Sequence, residues 1–165
     1  MKILTLLALF LVFCFASLTV AQYQGETDGI DKRSYRLGGI GAFSEVVGAG
    51  VKKLALSSPM TPEEMDALMD EASKIADRNG VKLHRETDFL VTDLFPASVT
   101  EGKHVLLIYL DPVKEEYMAL KARKERLLAN QAYEGEASQE IAREMGRLLS
   151  YSDEKIDALL ATRKQ

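Results

Sequence analysis

One stretch limits the folds open to this chain more than any other. Two short runs with strand character, "VKKLALS" (51–57) and "VKLHRE" (81–86), flank the segment "TPEEMDALMDEASKIADRNG". That segment carries its own start and stop signals. Thr61 suits the N-cap, Pro62 the first helical position, where its missing N–H would have had no partner, and Glu64 closes a capping box. Met65, Leu68, Met69, Ala72, Ile75 and Ala76 recur at three- and four-residue steps as one apolar stripe, and Asn79-Gly80 ends it. The spacing predicts a helix over 62–78 whose methionines fill a core rather than a cofactor box. Strand, helix and strand with tight joints make a βαβ unit. Strands 51–57 and 81–86 are therefore expected as parallel neighbours with a right-handed crossover.

Further along, "DFLVTDLF" (88–95) predicts a third extended segment. After the turn-forming "PASVTEGK", the run "HVLLIYL" (104–110) is apolar at nearly every position, as expected of a central strand covered on both faces. Asp111-Pro112 then opens a long helix from Val113 to about Gln131, with Val113, Tyr117, Leu120, Leu127 and Leu128 turned inward. Two shorter amphipathic helices follow, over 139–149 and from Asp153 to about Arg163. The expected fold class is α/β: a small, mostly parallel sheet of three to four strands with a βαβ unit, followed by a C-terminal helical segment (113–163). Residues 38–165 are expected to form a single domain, preceded by a flexible polar arm over 22–37.

The first residues bear on where the protein works. Lys2, an apolar run and the small-residue pattern Thr19-Val20-Ala21 predict a signal peptide cut after Ala21, and hence a secreted or periplasmic protein. An uncleaved anchor over 3–20 is the alternative, weakened by Thr5, Ser17 and Thr19. Phe13 before Cys14 does not fit a lipoprotein signal. Cys14 is the only cysteine, so a chain cut after Ala21 has no disulfides and no thiol chemistry, and its apolar core must hold it. Taking Lys2 from the 21 basic residues leaves 20 against 25 acidic ones, a net charge of −5, which argues against nucleic acid as a partner. "KARKER" (121–126) spreads around a helix among glutamates and reads as a solvated face. No membrane contact is expected once the signal is removed.

Candidate chemistry is sparse. The glycines of "GGIGAFSEVVGAG" (38–50) fit neither a dinucleotide loop nor a P-loop, and they suit a short helix closed by glycine. There is no G-x-S-x-G nucleophile elbow. In a parallel sheet, ligands bind beyond the carboxyl ends of the strands. If strands 51–57 and 104–110 were neighbours of that kind, Ser57, Ser58, Thr61, Tyr109 and Asp111 would line one crevice, the candidate ligand-binding site. Helix capping and a turn account for the same residues without a ligand. His84 shares a strand face with Lys82 and Glu86, and that all-polar face predicts a solvent-exposed imidazole. A metal site built from His84, His104 and Asp93, or from Glu86 or Asp88 in place of Asp93, is an alternative without ligand-spacing support. No cofactor is implied. These features favour an exported binding or interaction domain for a small molecule or protein. A small enzyme using acid–base or metal chemistry with His84, His104 and nearby carboxylates is the alternative, and an assembly factor docking through its helical tail is a third class.

Overall fold

The apolar run takes the centre of the sheet. In the computed structural model, which describes residues 31–95 and 97–162, three strands lie in the order β1 (Leu54–Leu56), β3 (Val105–Tyr109), β2 (Lys82–Glu86). Both outer strands run antiparallel to β3, with Ala55 opposite Ile108 and His84 opposite Leu107. The expected parallel sheet is therefore absent among the described residues. β1 and β2 do point the same way, but β3 separates them. The physical reason is burial. Every residue of β3 is buried, so it fills the one position covered from both sides, whereas β1 has three residues and β2 alternates with polar side chains.

Helices cover each face. On one side α1 (Lys32–Gly48), α2 (Pro62–Asp66) and α3 (Met69–Asn79) pack Ile40, Val47, Met65, Leu68, Ala72 and Ala76 against Ala55, Leu106 and Ile108. On the other, α4 (Val113–Ala129), α5 (Gly135–Leu148) and α6 (Asp153–Ala161) pack Tyr117, Ile141, Met145 and Ile156 against Leu54, Leu107 and Tyr109. From Arg36 onward the chain forms one contact unit. The start of α1 takes in residues 32–37, which the sequence placed in the arm. Segment 1–21, with the predicted signal peptide, and residues 22–30 of the arm lie outside the described residues. Among the described residues no helix is long and apolar enough to cross a membrane.

The helix expected over 62–78 is broken in two. Its capping box is present: the Glu64 N–H donates to Thr61 Oγ1 at 3.2 Å and the Thr61 N–H to Glu64 Oε2 at 2.9 Å. At the break the Leu68 N–H reaches back only three residues, to the Met65 carbonyl. That tightened turn drives the Leu68 side chain into the core, where it is 1 % exposed. In the C-terminal layer, α5 and α6 meet at Gly146. A Cβ there would lie 2.6 Å from Ile156 Cγ1 and 3.3 Å from Leu94 Cδ1, so only glycine lets the helices approach this closely.

Segment 88–95 is not a strand. It crosses the C-terminal layer irregularly, with Phe89, Leu90 and Leu94 buried. Its backbone groups find partners in α4 side chains instead of a ladder. The Leu90 N–H donates to the Tyr117 hydroxyl at 3.0 Å, Lys124 Nζ donates to the Val91 carbonyl at 2.6 Å, and Lys121 Nζ donates to the Asp88 carbonyl.

Candidate functional site

The antiparallel sheet disperses the expected crevice. The carboxyl end of β3 lies beside the start of β1, with Tyr109 opposite Leu54. Ser57, Ser58 and Thr61 therefore sit at one end of the sheet, and Tyr109 and Asp111 at the other. Each has structural work. The Ser57 hydroxyl accepts the Leu106 N–H at 2.9 Å and donates to the Ser58 carbonyl at 3.0 Å. Thr61 caps α2. Asp111 pairs with Lys82, and the N-cap position of α4 falls on Pro112. Tyr109 is 5 % exposed in the core, and burial pushes its phenol up.

The two histidines lie on opposite faces. His84 shares its face with Leu107, toward the C-terminal helices, and is half-buried there rather than solvent-facing. His104 accepts through Nδ1 a hydrogen bond from Arg85 Nε at 2.9 Å, and Arg85 shares the opposite face with Leu106. Arg85 also pairs with Asp66 and donates to the Pro62 carbonyl at 3.1 Å, so His104 completes a lock on α2. Asp93 is exposed and accepts from Ser138 Oγ at 3.0 Å. The metal site of His84, His104 and Asp93 cannot form across the sheet, and no group of three or more His, Cys, Asp or Glu among the described residues could hold a metal ion.

His84 is perturbed all the same. Burial first, then the charge of Lys114, hold its imidazole below the ordinary value, against an opposing pull from Glu86. The unfolded chain, titrating near 6.5, thus binds the proton more tightly than the folded one. Stability from this group is complete above the unfolded value and is lost as pH falls from about 6.5 toward the lower folded value. Denaturant midpoints measured across that window should fall with pH in the wild type, and the His84→Gln variant should lose that part of the slope.

Glu86, expected on a wet strand face, is 4 % exposed. Its Oε1 accepts the Asp88 N–H at 2.9 Å and faces Lys121 Nζ at 3.3 Å, and the same ammonium meets Asp88 Oδ2 at 3.0 Å. Tyr117, pushed well up by burial, lies alongside. This arrangement ties β2, the 88–95 segment and α4 together, and it has the form of a strut.

A cavity lies at the outer edge of β1, where no strand pairs among the described residues. It holds about 270 Å³ and draws walls from both helical layers. α1 contributes Phe43, which is 39 % exposed, and β1 contributes Leu56. Phe89 and Phe95 meet edge to face with centroids 6.4 Å apart. Val99 stands 43 % exposed at the rim. Of the residues lining it, Lys52 alone carries a charge. Ser57, one of the expected ligand-binding residues, lines this cavity, but sequence reading missed the rest of its walls because they come from five separated segments. The available signal was weak: Phe43, Phe95 and Val99 are large apolar residues flanked by glycines and turn formers.

Comparison with protein-family models, with curated proteins and with solved structures returned no match.

Proposed function

We propose that this protein is an exported binding protein whose cavity beside β1 holds an apolar molecule or the apolar part of one. The observation that carries the reading is a concave site of about 270 Å³ walled by aromatic and aliphatic side chains, with two of them, Phe43 and Val99, left partly exposed at its mouth. Small-molecule sites are concave and mostly apolar with a few placed polar groups. Export rests on the Lys2, apolar run and Thr19-Val20-Ala21 pattern. The acid–base reading has less behind it, since the histidines are on opposite faces and Glu86 is engaged as a strut. A docking role for the helical tail gains nothing either: α4, α5 and α6 turn their apolar sides inward, with only Met118 and Leu128 exposed at separate points.

A ligand that binds only the folded state raises the melting temperature by mass action. Octanol is the probe. The wild-type protein should melt higher as octanol is added, with a saturable dependence, and Val99→Trp, which fills the mouth with an indole, should respond far less. A wild-type melting temperature indifferent to octanol would remove the cavity from consideration.

A further inference from the structure

Lys52 lies where an apolar cavity meets a cation that has no carboxylate partner among the described residues. It follows the left-handed turn at Gly50 (φ 72°) and lines the cavity together with Leu149 and Tyr151. Its ammonium donates one hydrogen bond, at 2.5 Å, to the carbonyl of Leu149 at the C-terminal end of α5, and stands 5.4 Å from the centroid of the Tyr151 ring. No ion pair to Lys52 is found among the described residues. An ammonium has three donors, and one carbonyl and one aromatic face leave donors to spare. Burial holds its pKa below the ordinary lysine value, and no neighbouring acid offsets that effect. With donors to spare, the ammonium can take up an anion that enters the cavity beside it.

Resting on the cavity reading above, we propose that the ligand is an apolar monocarboxylate, its hydrocarbon or aromatic body lying among Leu56, Phe89, Phe95 and Val99 and its carboxylate meeting the ammonium of Lys52. A charge-assisted hydrogen bond is stronger than a neutral one and is strengthened further in a site sheltered from water. The carboxylate end thereby sets the specificity, and the apolar walls supply the bulk of the affinity.

Titration calorimetry on the full protein with octanoate, octanol and octylamine separates the two readings. In the wild type octanoate should bind about tenfold more tightly than octanol, and octylamine should bind most weakly. Lys52→Met, which keeps the apolar stem, should remove that preference, while Lys52→Arg should retain it. Equal wild-type affinities for octanoate and octanol would overturn the carboxylate assignment and leave the cavity reading standing, and this comparison needs no variant to fold. A preference for octanoate that survives in Lys52→Met would also overturn it. Failure of all three probes to bind would overturn the cavity reading, and the assignment with it.

Discussion

A Leu68→Asp chain is expected to show no cooperative melting transition. Leu68 is 1 % exposed in the layer formed by α1, α2 and α3, in contact with the cluster that covers Leu106 and Ile108. The turn between α2 and α3 fixes the direction of its side chain, so a carboxylate there cannot swing out to water without unmaking the junction. Desolvating that group without a partner, on top of the lost apolar contacts, exceeds about 4 kcal/mol and approaches the roughly 5–15 kcal/mol that holds a small domain together. Far-ultraviolet circular dichroism with heating is the measurement. Lys74→Ala on the exposed side of α3 should melt within about 0.5 kcal/mol of the wild type. A Leu68→Asp protein with a near-native transition would mean that this layer is not core.

Glu86→Leu is expected to cost about 3 kcal/mol in denaturant unfolding, because it leaves Lys121 under-compensated in a shielded position. The Lys121 side chain is 16 % exposed, and the second carboxylate it meets, on Asp88, is 85 % exposed and weakly held. The substitution also strips the Asp88 N–H of its acceptor and loosens the entry to the 88–95 segment. Adding Lys121→Met should return part of the loss, since two apolar groups in contact remove the uncompensated charge. A double variant less stable than Glu86→Leu alone would show that Lys121 acts mainly through the Asp88 carbonyl and not through Glu86.

Local chemistry was legible along the chain, and pairing was not. The capping box at Thr61 and Glu64, the strand at 82–86, the all-apolar strand at 105–109 and the three C-terminal helices follow from periodicity and end signals within single segments. Strand order does not. Nothing within 51–57 or 81–86 records that each offers its edge to residues 105–109 rather than to the other. The same non-locality hid the burial of Glu86. In sequence it alternates with Lys82 and His84 like any solvated residue, and its partner Lys121 lies on a helix that only the fold brings near. Segment 88–95 has the composition of a strand, yet its carbonyls and N–H groups are taken by Lys121, Lys124 and Tyr117, and side chains that substitute for a ladder leave no mark in a hydropathy pattern. The expected crevice failed for a related reason: reversing one strand sends Tyr109 and Asp111 to the opposite end of the sheet from Ser57.

The placement of β3 between two strands that precede it sets the order in which this protein can come into being. Until Val105–Tyr109 is available, β1 and β2 have no edge to share, because the slot between them belongs to a third strand. A chain emerging N-terminus first holds its early helices without a sheet to lay them on. Closing the sheet joins residues about fifty positions apart in one step, which is entropically slower than zipping a hairpin. The sheet can therefore close only once its most apolar strand is available, and the strand edges facing it stay unpaired until then.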